Sequence, residues 1–146
     1  MIDNMKEIGE EVGISFSYGG SIGNSFDSHR LIWKAREEGG SKLQNQMVDA
    51  IFQAYFEEEK SLGVTSVLVE CANKAGMEPS VVSELLSPQG ISIGRNEVEQ
   101  ELREFAMKWN CSGVPLFIVD GKYPLSGAQP VAAFEKVFEK IVADEK

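Results

Sequence analysis

The chain has 146 residues, a formal net charge of −9 and an acidic isoelectric point near 4.6. That length suits one domain able to bury a core without staples, and the acidity argues against nucleic acid as a partner, since basic residues are scattered and form no patch. No apolar run approaches the roughly 20 residues a membrane span needs, and the opening Met-Ile-Asp-Asn-Met-Lys-Glu is too polar for a secretory leader, so the expected address is cytoplasmic.

In chain order, Ile2, Met5, Ile8 and Val12 fall on one stripe and predict a helix over 2–12, ended by Gly13. Residues 14–18 alternate apolar and polar, which predicts a short extended segment. A glycine-rich loop follows, and then a helix with Asn24 or Ser25 as N-cap, stopping at Gly39-Gly40. Ser41 is the expected cap of the next helix, whose Leu43, Met47, Ala50, Ile51 and Ala54 repeat at helical spacing. Val48, Phe52, Tyr55 and Phe56 widen its apolar face, the pattern of a helix inside a bundle. Thr65 is the expected cap of a helix closed by Gly76, and Pro79 suits the first turn of another. Val98, Leu102, Phe105 and Trp109 mark a further helix with an acidic outer face.

The texture then changes. Leu116–Val119 reads as a short buried strand. Asp120-Gly121 is a pair favoured by the type I′ turn, which needs positive φ at both central positions. Residues 122–125 form the expected return strand, which should lie at an edge or end early because Pro124 has no N–H to donate. Ser126–Gln129 leads into a last helix with Pro130 near its first turn and a buried stripe of Val131, Phe134, Val137, Phe138 and Ile141. A lone two-stranded hairpin is marginal by itself, so a further strand or a partner chain is expected. The division by texture is 1–110, mostly helical, and 111–146, hairpin plus helix.

Chemistry-bearing residues are few. Cys71 and Cys111 are the only cysteines and form no C-x-x-C; with a single histidine they make no protein-only metal site. Cys71 lies among apolar residues at helical spacing and reads as core packing. The strongest constellation is Gly113-Val114-Pro115, then an apolar strand, Asp120-Gly121, and Ser126-Gly127-Ala128-Gln129-Pro130.

On those residues the chain resembles the DsbA-like thioredoxin-fold group that includes the FrnE-type dithiol–disulfide isomerases. It is similar, more distantly, to the kappa glutathione transferases and 2-hydroxychromene-2-carboxylate isomerases. Asn24–Leu31 resembles the start of the long helix of that group's helical insertion, and Phe52-Gln53-Ala54-Tyr55-Phe56 the segment that follows. The resemblance implies an α/β thioredoxin-like fold, truncated: a helical insertion over 1–110 and the C-terminal half of the thioredoxin unit over 111–146. It implies a cis-proline loop in which Gly113, Val114 and Pro115 hold an extended substrate. Asn24, His29, Gly127, Ala128 and Gln129 are implied as further substrate-binding positions, with a peptide or a small thiol or disulfide, glutathione included, as ligand.

The group's catalytic C-x-x-C sits in an opening β-α-β unit, which has no counterpart here, so a fragment and a naturally short form are both open. The chain is expected to be inactive alone in disulfide exchange, with Cys111 as a weak catalytic candidate. For Cys111 the plain alternative is a small apolar residue at a helix end; for His29, a surface or interface histidine; for Asn24, helix capping; for Ser126–Gln129, a loop-to-helix junction. The other function class is a non-catalytic binding module that forms a homodimer or strand-swapped dimer through the hairpin edge. No metal or resident cofactor is expected.

Overall fold

The computed structural model describes residues 2–111 and 113–144. Its helices are α1 (Ile2–Glu11), α2 (Phe26–Phe56), α3 (Thr65–Ala75), α4 (Pro79–Leu86), α5 (Arg95–Trp109) and α6 (Val131–Asp144). The strands are β1 (Leu116–Val119) and β2 (Tyr123–Ser126). The chain divides into two compact units, 1–98 and 99–146. The division falls inside α5, ahead of the change of texture at 110/111.

In the first unit, α2 consists of two helices that meet where the sequence predicts a Gly-Gly stop. Gly39 (φ −140°, ψ 18°) and Gly40 (φ 63°, ψ −159°) leave helical geometry there, so the junction is a kink. Asn24 supplies the cap: its Oδ1 accepts the Phe26 N–H at 2.9 Å, while the Ser25 side chain makes no capping bond. Thr65 does not cap α3. Val64 occupies that place with an extended backbone, and Thr65 is the first helical residue. At the other end Gly76 is left-handed (φ 86°) and its N–H reaches the Ala72 and Asn73 carbonyls, as a helix-closing glycine does. Pro79 opens α4 in its first turn.

The core lies between α2, α3 and α4. Leu31, Ala35, Met47, Ala50, Ile51 and Ala54 of α2 meet Leu68, Cys71, Ala72 and Ala75 of α3 and Val82 and Leu85 of α4. Each large apolar side chain removed from water here contributes roughly 1.5–3 kcal/mol. One charged side chain is buried with them. Arg30 is 1 % exposed and donates from Nε to the Ile93 carbonyl (2.7 Å) and from Nη2 to the Leu85 (3.0 Å) and Gly90 carbonyls. Its Nη1 pairs with Asp27 at 2.7 Å. The Leu85 and Ile93 carbonyls, where the chain turns after α4, thus find a donor fork reaching out of α2, which also shares the Gly90 carbonyl with the Ile93 N–H.

The bundle helix is less enclosed than its sequence suggests: Phe52 is 55 % exposed. It turns from the core to pack edge-on against Phe56, ring centroids 5.6 Å apart.

In the second unit β1 and β2 form an antiparallel hairpin, Leu116 opposite Ser126 and Val119 opposite Tyr123. Asp120 (φ 52°) and Gly121 (φ 62°) both adopt positive φ, and the Lys122 N–H closes the turn on the Val119 carbonyl at 3.1 Å. Lys122 is then one residue too many for a two-residue loop, so the return strand starts at Tyr123 rather than 122. Phe117 meets Phe134 of α6 edge-on at 5.1 Å, and the Tyr123 hydroxyl donates to Asp144 at 2.9 Å. The expected buried strand and buried α6 stripe are not buried. Phe117 is 41 % exposed, and Val131 and Phe138 are more than half exposed. Among the described residues of this unit none is buried, because two four-residue strands and one helix leave each apolar side chain with an open flank.

Candidate functional site

Two places hold the predicted site residues, one in each unit.

In the second unit the chain leaves α5 through Asn110 (φ 47°) and Cys111 into Gly113-Val114-Pro115; Ser112, within this stretch, lies outside the described residues. The Val114–Pro115 peptide bond is cis. Val114 is 91 % exposed, and among the described residues its backbone N–H and C=O have no hydrogen-bond partner. A Cβ on Gly113 would meet open space. The Gly127 N–H donates to the Pro115 carbonyl at 2.8 Å, and Gly127 is left-handed (φ 82°), a turn that suits its missing side chain. Gln129 Nε2 donates back to the Ser126 carbonyl at 2.6 Å. The loop before β1 and the loop after β2 are therefore tied to each other, and Gly113, Val114, Pro115, Gly127, Ala128 and Gln129 form one exposed rim at the open end of the hairpin. An extended backbone can add to such a rim through main-chain hydrogen bonds.

Cys111 sits beside that rim. It is half-buried, and its Sγ donates to the Gly113 carbonyl at 3.2 Å. Cys71 is of another kind. It is buried in the first unit's core, donates to the Ala50 carbonyl, and is pushed by that burial above the usual thiol range. A thiol held protonated is a poor nucleophile. Both cysteines are free. Among the described residues no three metal-ligating side chains gather, and no helix is long and apolar enough to cross a membrane.

Asn24 and His29 belong to the first unit. Asn24 is engaged in capping α2. His29 is exposed, and its ring has no hydrogen-bond partner among the described residues. It lines a hollow of about 310 Å³ together with Ile22, Ile32, Phe52, Tyr55 and Phe56.

Next to this hollow lies a feature that sequence reasoning missed. The extended segment 15–19 is strapped to the end of α2 by two glutamates. Glu57 accepts the Ser15 N–H at 3.2 Å. Glu59 accepts the Ser17 hydroxyl and, at 3.1 Å, the Gly19 N–H. The Ser17 N–H adds a bond to the Phe56 carbonyl at 2.7 Å. The two donors from Ser17 and Gly19 hold the Glu59 carboxyl below the usual range. A side chain at Gly19 would run into that carboxylate, so the close approach depends on glycine. The Glu57–Glu59 run reads in isolation as a solvated helix end. The signal that would have found its role is the run Ser15, Ser17, Gly19, which puts donors and a small residue on one side of an extended segment.

The model of the family described as DSBA-like thioredoxin domain matches residues 1–139. No curated protein matches the chain at a significant level.

Proposed function

Because the chain belongs to the DSBA-like thioredoxin domain family, we propose that it is a substrate-holding member of this thiol-disulfide oxidoreductase type, of the FrnE kind, without exchange chemistry of its own. The family's chemistry runs on cysteine sulfur and calls for no metal or prosthetic group. The observation that carries the reading is the rim at Val114: an almost fully exposed residue whose backbone has no partner among the described residues, at the head of an open-edged hairpin. A peptide laid along it would gain main-chain hydrogen bonds from Val114 and rest against Pro115, with Gly113 leaving room and Gly127–Gln129 bounding the far side. Glutathione is the smallest ligand of this chemistry.

Exchange between dithiol and disulfide needs an attacking thiolate and a second thiol to resolve the mixed disulfide. Cys111 stands beside the rim alone. Cys71 is buried and kept protonated by its surroundings. The purified chain should therefore bind an extended peptide whose cysteines are replaced by serine, with the largest amide shift at Val114, and should not accelerate insulin reduction by dithiothreitol. Insulin turnover above the uncatalysed rate, abolished in Cys111→Ser, would overturn the inactive reading. Calorimetry with glutathione on the chain and on Pro115→Ala tests the small-ligand version, for which the variant should bind more weakly.

A second reading, a homodimer or strand-swapped dimer, is supported by the absence of any buried residue among those described in the second unit. An open strand edge beside half-exposed Phe117 is a template for pairing with another copy. Light scattering at micromolar concentration should report a dimer, and a monomer across that range would contradict it.

A further inference from the structure

The hollow of the first unit has a chemical bias that the disulfide reading does not use. At about 310 Å³ it falls at the small end of ligand sites. A second depression of about 170 Å³ shares Ile22, Tyr55 and Phe56 with it and continues to Ser17 and Tyr18, so the two form one aromatic-walled recess. The rings within it pack edge-on, Tyr55 to Phe56 at 4.9 Å and Phe52 to Phe56 at 5.6 Å. The faces of such rings carry negative potential.

The surroundings carry the same sign. Glu57, Glu58 and Glu59 follow directly on Phe56, at the negative end of the α2 dipole. Glu57 and Glu59 hold the very segment that walls the recess at Ser17. Among the described cations nearby, Lys60 is paired with Glu58 at 2.8 Å and Glu70 at 2.6 Å, Lys74 lies 3.9 Å from Glu58, and Lys6 offsets part of the Glu59 charge from a distance. Among the described residues, His29 is the one ionisable base in the lining of the hollow.

We propose that this recess binds a small organic cation: a protonated or quaternary amine carried on an aryl or short alkyl stem. The stem fills the apolar hollow, and the cation lies against the ring faces on the side of Glu57 and Glu59. The net charge of −9 draws such a ligand in. The inference is independent of the rim at Val114, which belongs to the other unit.

Three probes of one size and different charge test it: phenethylammonium, phenethyl alcohol and phenylacetate, titrated by calorimetry and by the aromatic proton shifts of Phe52, Tyr55 and Phe56 at neutral pH. The cation should bind at least about fivefold tighter than the alcohol, and phenylacetate should not bind. Raising salt from roughly 0.02 to 0.3 M should weaken the cation several-fold and leave the alcohol unchanged. Glu57→Gln with Glu59→Gln should shrink the preference for the cation to about twofold or less. Phe52→Ala, which removes an exposed ring and leaves the core intact, should weaken both the cation and the alcohol. The salt series needs no variant, so misfolding of a variant cannot rescue the idea. Absence of binding by the cation, a preference for alcohol or phenylacetate, or salt-insensitive binding of the cation would each overturn it.

Discussion

The two units both carry elements with an apolar face at helical or strand spacing, and bury it very differently. In the first, three helices close on one another around Leu31, Met47, Leu68 and Leu85. In the second, the stripe of α6 and the apolar strand β1 stay half-exposed, although Phe134, Val137 and Ile141 repeat at the same helical spacing as the residues of α2. Periodicity therefore reports which face of an element is apolar. Whether that face is covered depends on how many elements share it, and a single hairpin with one helix is too few. The same difference separates the sites: the enclosed unit offers a walled recess, the open unit an edge.

Substitutions in the first unit are where this contrast should be largest. Arg30→Ala leaves the Leu85 and Ile93 carbonyls without their donor and takes one of two donors from the Gly90 carbonyl, and should cost about 3–5 kcal/mol in denaturant unfolding. Leu68→Ala should cost about 2–5 kcal/mol there. Ile118→Ala in the hairpin should cost about 1 kcal/mol or less, because the side chain is only half removed from water. Equal losses for Leu68→Ala and Ile118→Ala would break the comparison.

A smaller effect concerns acid. Glu59 has its folded pKa depressed by the Ser17 hydroxyl first and the Gly19 N–H second. Its contribution is present above the ordinary carboxylate range and is lost as pH falls through the depressed folded value. Glu59→Gln should therefore lower the stability of the first unit slightly at pH 7 and flatten its acid limb, so that variant and parent converge at low pH. An unaltered acid limb would show that the strap contributes nothing to it. Smallest is the hydroxyl of Tyr123, whose pKa is raised by its bond to Asp144. That raised value makes its contribution present at neutral pH and lost as pH rises through it. Asp144→Asn should lower the alkaline midpoint of tyrosinate absorbance, and no movement would mean that α6 is not held to β2 by this bond.

Much of this was legible in the residues. The helices, the glycine break at 39–40, the Asp120-Gly121 turn and the return of the chain at Ser126 follow from spacing and turn chemistry, and the run from Gly113 to Pro130 carried the family resemblance that the family match bears out at the level of a DSBA-like thioredoxin domain. The failures share one cause. The cap at Thr65, the start of β2 at 122, the burial of Phe52 and the buried stripe of α6 each depend on what stands beside the element, which spacing along the chain does not record. Asn24 and His29 illustrate it in the site: both lie at the start of α2, yet one is engaged in capping and the other lines the hollow. The glutamate strap was hidden for the same reason, since its partners are some forty positions apart in sequence.

The most direct test of the contrast is residue-resolved amide hydrogen exchange across a concentration series. Amides of α2 and α3 should be strongly protected at every concentration. Those of β1 and β2 should exchange rapidly in dilute protein and gain protection as copies pair along the open edge. Hairpin protection equal to that of α2 and independent of concentration would contradict the account.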